Sequence, residues 1–205
     1  MNNSHKVVSH KVVSHKAVSH KVVFAFGGIL FALAGCSGGT ESSDTPVAAG
    51  TYSVNDCALS TGPVLQEGAP EGISVNGLII GGVQAPIISV GPDSQPAVDL
   101  GISDLIPGNG DSVQVGDTIT VNYCGVGQAT GAMFDSSWSR GAPATFQLAP
   151  GALIEGWTQG VPGMQLGERR LLEIPGDLGY GSNPPPGIEP NETLIFVVEL
   201  VSIDS

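Results

Sequence analysis

Beyond residue 97 the chain sets apolar against polar side chains in short alternating runs, the pattern of strands with one buried face. Residues 98–106 read as one strand, and residues 117–124 as another, with Ile119, Val121 and Tyr123 on one face and Cys124 on the other. Between them, Pro107-Gly108-Asn109-Gly110-Asp111 is rich in turn formers. Residues 144–148 predict a short strand, residues 168–174 another, and residues 193–203 a long one with Leu194, Phe196, Val198 and Leu200 facing one way. Only residues 152–160 carry a helical spacing, through Leu153, Ile154 and Trp157. The expected fold class is α+β, an antiparallel sheet wrapping one short helix. Residues 51–96 are harder to place. Apolar runs such as 77–83 are broken by Gly and Pro, which predicts an irregular extension whose short edge strands pack on the main sheet. A domain of that size is marginal alone.

The first 35 residues follow another logic. Residues 4–23 are four tandem five-residue units, Ser-His-Lys-Val-Val three times and Ser-His-Lys-Ala-Val once. They form a basic, low-complexity stretch. An apolar run over residues 22–34 follows, too short to span a bilayer and suited to a signal-peptide core. It closes on Leu33-Ala34-Gly35-Cys36, which resembles a bacterial lipobox. That resemblance implies cleavage before Cys36, lipidation of its thiol and anchoring through acyl chains without a transmembrane helix. An ordinary secretory signal with an incidental cysteine is the alternative. Residues 36–50, rich in Ser and Gly, read as a flexible tether.

Charge sharpens the division. All four lysines and all four histidines lie within residues 5–21, and all 19 acidic residues lie beyond position 40. Removing the first 35 residues leaves three arginines against 19 carboxylates, a net charge of −16 against −12 for the whole chain. No basic patch is available for phosphate, which argues against nucleic-acid binding. Without histidine beyond residue 35, Ser-His-Asp and Cys-His catalysis and histidine metal sites are excluded there. No metal site and no cofactor is expected. Residues 125–131 glance at a nucleotide loop, but their spacing is wrong and no βαβ pattern surrounds them, so they read as a flexible connection.

The candidate chemistry lies in residues 118–140. Strand alternation delivers Tyr123 to the inside, Phe134 and Asp135 arrive together, and Arg140 follows at a spacing suited to a local ion pair. Taken singly these signals are weak. Trp157 and Phe196 alone suit a plain core, Asp135–Arg140 alone a surface pair of small energy, and Tyr180 between two glycines a turn aromatic.

Taken together they are specific. Tyr123-Cys124-Gly125, Phe134-Asp135-Ser136-Ser137, Ile154-Glu155-Gly156-Trp157, Met164-Gln165-Leu166-Gly167-Glu168, Gly179-Tyr180-Gly181 and residues 188–194 resemble, in order and in register, the FKBP-type peptidyl-prolyl cis-trans isomerases. The resemblance runs from about residue 103 to 203 with one deletion between Tyr180 and Ile188. It implies a half-open antiparallel β-barrel around a short helix; together with the lipobox and the composition, the chain divides into a lipoprotein signal peptide (1–35), a tether (36–50), an extension (51–96) and an isomerase domain (97–205).

Carried over by position, the resemblance makes Trp157 the floor of a proline pocket. Tyr123, Phe134 and Phe196 become its walls, Leu153 and Ile154 its helix edge, and Ile188 its rim. Asp135 becomes the carboxylate beside the twisting amide, oriented by Arg140 and the Tyr123 hydroxyl, and Tyr180 a donor to a substrate carbonyl. The implied partners are proline-containing polypeptides and macrolide inhibitors, with membrane contact only through the lipid anchor. This chain departs from many relatives in having Ala144 in place of a bulky pocket residue, Ala152 where a polar one is common, and a short loop, 183–187, stiffened by three prolines. These changes imply a differently edged pocket. Three functions follow as candidates: an exported isomerase, a non-catalytic module holding proline segments, and a surface protein acting through its acidic extension. Cys57 and Cys124 remain after Cys36 as either a disulfide or two free thiols in an oxidising compartment.

Overall fold

The computed structural model describes residues 50–60, 62–68, 72–77 and 84–204. All belong to one compact unit, Asp44–Ser205. The signal segment and residues 36–49 of the tether, Cys36 among them, lie outside the described residues.

The main sheet is antiparallel and uses β5 (Gly101–Ile106), β11 (Arg169–Ile174), β12 (Leu194–Asp204), β7 (Thr118–Gly127) and β8 (Met133–Ser136) in that order. A sixth strand, β9 (Ala144–Gln147), also pairs with β7. The sheet is curved and not closed into a barrel. A small separate ladder joins β6 (Asn109–Ser112) to β10 (Gln165–Leu166). The segment expected to be only a turn therefore continues into a strand, because residues 109–112 meet a partner some 50 residues later.

Helix α1 (Glu155–Gly160) lies in the concavity. It starts three residues later than the periodicity suggested. Ile154 is extended (φ −60°, ψ 149°), and residues 149–152 are closed by a bond from the Ala152 N–H to the Ala149 carbonyl (3.1 Å). Two glycines four residues apart let α1 approach β11. A Cβ at Gly156 would lie 2.4 Å from Ile174, and one at Gly160 would lie 2.8 Å from Leu172. The Arg170 guanidinium donates to the Gly160 carbonyl (2.8 Å), satisfying one of the orphan carbonyls at the helix end. Arg170 is itself paired to Asp104 (2.7 Å) and Glu168 (2.7 Å).

The region read as an irregular extension is more regular than its composition suggests. β1 (Thr51–Asp56), β2 (Val64–Glu67), β3 (Ile73–Asn76) and β4 (Ile87–Val90) form a four-stranded antiparallel sheet of order β2-β1-β4-β3. Such short strands are marginal alone and need a covered face. They find it on the convex side of the main sheet. Cys57, Ile88 and Val90 pack there against Cys124, Val126, Leu171, Ile195 and Val197, all buried. On the concave side a second core gathers Ile119, Val121, Tyr123, Trp157, Leu172, Ile174 and Phe196. β12 is thus covered on both faces, Leu194, Phe196 and Val198 toward the helix and Ile195 and Val197 toward the extension. Cys57 and Cys124 are joined by a disulfide across the convex interface, with Cα atoms 5.9 Å apart.

Candidate active site

Alternation along β7 turns Tyr123 into the concavity, while the β7–β8 register sets Gly125 opposite Asp135. The tyrosine and the carboxylate therefore meet. The Tyr123 hydroxyl donates to Asp135 Oδ2 (2.5 Å), and Arg140 Nη1 donates to Asp135 Oδ1. Arg140 Nη2 donates to the Tyr123 oxygen (2.8 Å) with the guanidinium 5.4 Å from the ring centroid. Three side chains thus close a hydrogen-bonded triangle. Ser137 fixes its base, since its hydroxyl accepts the Tyr123 N–H (2.8 Å) and its own N–H donates to the Tyr123 carbonyl (2.9 Å).

Burial pushes the Tyr123 phenol above its ordinary value of 10.0, and the bond to Asp135 adds to this while Arg140 opposes it. Arg140 is held above its usual range chiefly by its bond to Tyr123. Burial, then the field of Asp135, raises the Tyr180 phenol. Both tyrosines are therefore neutral donors at physiological pH.

Trp157 is the hub of the aromatic set. Its ring stands edge-to-face on Tyr123 (5.5 Å), Phe146 (5.7 Å) and Phe196 (5.4 Å). Such edge-on pairs add to the energy of burial and restrict ring movement. Above the indole lies a cavity of about 570 Å³ lined by Tyr123, Asp135, Phe146, Tyr180 and Phe196. Residues 151–155 form one edge, and Asp177 and Gly179 another.

Of the residues singled out from the sequence, Tyr123, Asp135, Leu153, Ile154, Trp157, Tyr180 and Phe196 line this cavity. Phe134, Arg140 and Ile188 do not. Phe134 braces Phe196 from behind (5.4 Å, 81° between planes). Arg140 holds Asp135 and Tyr123, and Ile188 is buried in the concave core. Sequence reasoning missed Phe146, although it alternates with Ala144 and Leu148 on the strand expected there. It also missed Glu155 and Asp177, which bring two further carboxylates to the cavity.

The loop expected to be a flexible connection over 125–131 begins as ordered ladder, since β7 runs to Gly127, and only residues 128–131 form the turn. The remaining turn is closed by buried Glu192, whose carboxylate accepts from the N–H groups of Ala129 (3.0 Å) and Thr130 (2.9 Å).

Comparison with known proteins agrees with this geometry. The family described as FKBP-type peptidyl-prolyl cis-trans isomerase matches residues 110–201. An FK506-binding protein of Streptomyces anulatus is 49% identical over 114 residues, which cover 55% of this chain and 92% of the relative. The chain belongs to the FKBP-type peptidyl-prolyl cis-trans isomerases. Within that family, a probable FK506-binding protein of Corynebacterium glutamicum is 42% identical over 115 residues, 56% of this chain and 93% of the relative. The peptidyl-prolyl cis-trans isomerase FPR2 of Saccharomyces cerevisiae is 44% identical over 111 residues, covering 53% of this chain and 82% of that protein. Among solved structures, FkpA from Escherichia coli is 37% identical with a TM-score of 0.48, over 54% of this chain and 51% of that one, so the chain spans about half its length. The family match leaves β1–β4 outside it.

Proposed function

We propose that this FKBP-type isomerase accelerates rotation about Xaa-Pro bonds in exported proteins while they fold, from a lipid anchor in the bacterial cell envelope. The observation that carries the reading is an aromatic cavity whose wall carries the Asp135 carboxylate, oriented by Tyr123 and Arg140, with Tyr180 also in its lining. Resonance gives the peptide bond a rotation barrier of about 18–20 kcal/mol. Xaa-Pro isomers are close in energy yet interconvert only over tens to hundreds of seconds. Rotation breaks no bond, so the task is to destabilise the planar amide and fit the twisted one. Trp157, Phe146 and Phe196 remove water from the proline ring and the preceding carbonyl, which disfavours the polar resonance form. The triangle holds the Asp135 carboxylate still, so its field acts on the twisting amide without reorganisation. Tyr180 offers its proton to a substrate carbonyl. Binding that is tighter for the twisted geometry than for either planar isomer raises the rate.

The anchor rests on Leu33-Ala34-Gly35-Cys36, and in a Gram-negative host Ser37 after the cysteine resembles an outer-membrane sorting pattern facing the periplasm. Incorporation of labelled fatty acid, abolished by Cys36→Ser, is the expected result. Export also suits the Cys57–Cys124 bond, since oxidising compartments preserve disulfides.

The deciding experiment is exchange NMR on a Xaa-Pro peptide with the folded protein. Acceleration that falls steeply on Asp135→Ala is expected. Peptide binding without acceleration would leave a holding module instead.

A further inference from the structure

Asp135 sits on β8, a four-residue strand at the edge of the main sheet, paired only to β7 and through a register shift at Gly125/Val126. Short edge strands are the softest part of a sheet. Yet β8 carries the carboxylate of the triangle, so something must hold it. Both of its ends are tied to the extension. At the first end, the Asn55 side chain donates to the Gly131 carbonyl (3.0 Å) and accepts from the Met133 N–H (3.2 Å), bridging the turn that opens the strand. At the other, the Ser136 hydroxyl donates to the Cys57 carbonyl (2.7 Å). Cys57 is in turn bonded to Cys124, the neighbour of Tyr123 on β7. The chain of contacts continues to the third member of the triangle. The Ser139 N–H donates to Ser136 Oγ (3.3 Å), and the Ser139 hydroxyl donates to the Ser136 carbonyl (2.9 Å), bracing the turn that ends at Arg140. Asn55, Cys57, Cys124 and Ser136 are all buried, so water does not compete for these bonds.

We infer that Asn55 and Cys57 are positioning residues for the isomerase reaction: the extension sheet holds β8 and β7 from behind so that Asp135, Tyr123 and Arg140 keep their mutual geometry. Neither residue touches the cavity, and both lie outside the segment that matches the family. The extension is thus a backing plate added behind a shared pocket. A shift of β8 by about 1 Å would open the Tyr123–Asp135 bond, and misplacement on that scale can cost on the order of a hundredfold in rate. The aromatic cavity is anchored on β7, β12 and α1 and would still bind proline.

This inference rests on the isomerase reading, and its test separates the two. In the full-length protein, Asn55→Ala, Ser136→Ala and the pair Cys57→Ser/Cys124→Ser are compared with the wild type below their melting temperatures. The expected result is a fall in kcat of about tenfold or more with KM changed by less than about twofold, the split expected when only the transition-state geometry is lost. NMR of isotopically labelled tyrosine should show Tyr123 titrating at lower pH in the same variants, as its bond to Asp135 lengthens. Lowered melting temperature with unchanged kcat and unchanged Tyr123 titration, in whichever of the three variants fold, would overturn the inference. Ser136→Ala removes a single oxygen and is the variant most certain to fold. Should the wild type not accelerate exchange at all, the isomerase reading fails, and the Tyr123 titration alone decides whether the extension sets the triangle.

Discussion

Gly125 offers the sharpest test of how tightly the pocket wall is built. It pairs with Phe196 on one side and Asp135 on the other, and its φ lies outside the left-handed region, so alanine brings no left-handed strain. Space is the obstacle. An added Cβ would lie 2.5 Å from Phe134 Cζ, 2.7 Å from Phe134 Cε2 and 2.8 Å from Phe196 Cε1. Carbon atoms rest at about 3.5–4.0 Å, so each ring must give by roughly 1 Å. Phe134 is half-buried on a short edge strand and can swing outward. Phe196 cannot, because it is buried in β12 with Trp157 edge-on at 5.4 Å. The displacement therefore passes into the floor of the cavity. Gly125→Ala should cost about 1–3 kcal/mol of stability, as overpacking does. It should lower kcat/KM by about ten- to a hundredfold through a misplaced wall. Urea unfolding gives the first quantity, and exchange NMR on a Xaa-Pro peptide the second. Stability within about 0.5 kcal/mol of wild type, the size of a neutral surface change, together with an unaltered kcat/KM would refute the reasoning.

Three more outcomes follow. Tyr123 and Tyr180 titrate above 10.0 in the folded state, so their contribution to stability is complete below that pH and is lost as pH rises through the raised values. Since all four histidines lie within the first 20 residues and Cys57 and Cys124 are bonded, melting temperature should be flat across neutral pH, and an inflection near neutrality would contradict this. Glu192→Ala removes the acceptor for the Ala129, Thr130 and Glu189 N–H groups and should cost about 1.5–3 kcal/mol, the range for hydrogen bonds to a charged group, read as a lower urea midpoint. Glu155 and Asp177 line the cavity with no ion-pair partner among the described residues. Peptides with lysine beside proline should therefore react a few-fold faster than those with glutamate, a gap that closes in about 1 M salt, where the screening length falls to about 3 Å. Glu155→Gln with Asp177→Asn should abolish the gap, and a gap that survives both changes would assign the preference elsewhere.

Much of the concave half was legible because its physics is local. Period-2 alternation set the inward faces of β7 and β12, whereas Phe134 and Asp135 lie on a strand, β8, that alternation did not predict, and only the family resemblance placed them beside Tyr123. The helix start was misplaced because Leu153 and Ile154 mimic a helical face while serving as an extended edge of the cavity. Phe146 was not legible because its four-residue strand, β9, leaves it only partly buried, and its contact with Trp157 is made across the fold; Ala144 packs on the same core. The extension was obscure for another reason. Its strands are four to six residues long, and their pairing is settled only by the sheet they rest on. Its trace was present elsewhere, in Cys124, Val126, Ile195 and Val197, which are apolar at the alternate positions of β7 and β12 where a solvent-facing sheet would carry polar side chains. The burial of Arg169 and Arg170 had no such trace, because partners such as Glu199 and Asp104 come from strands distant in sequence.

That doubly covered ladder also makes the family-matching half a poor candidate for transplantation. Cut free at residue 97 and grafted into a fusion, it would present Val126, Leu171, Ile195 and Val197 as one bare apolar panel with the unmatched thiol of Cys124 among them. Contiguous apolar patches drive self-association, and a stranded thiol in an oxidising compartment links copies covalently. Engineers borrowing this isomerase would have to carry β1–β4 with it or repaint the panel with polar side chains.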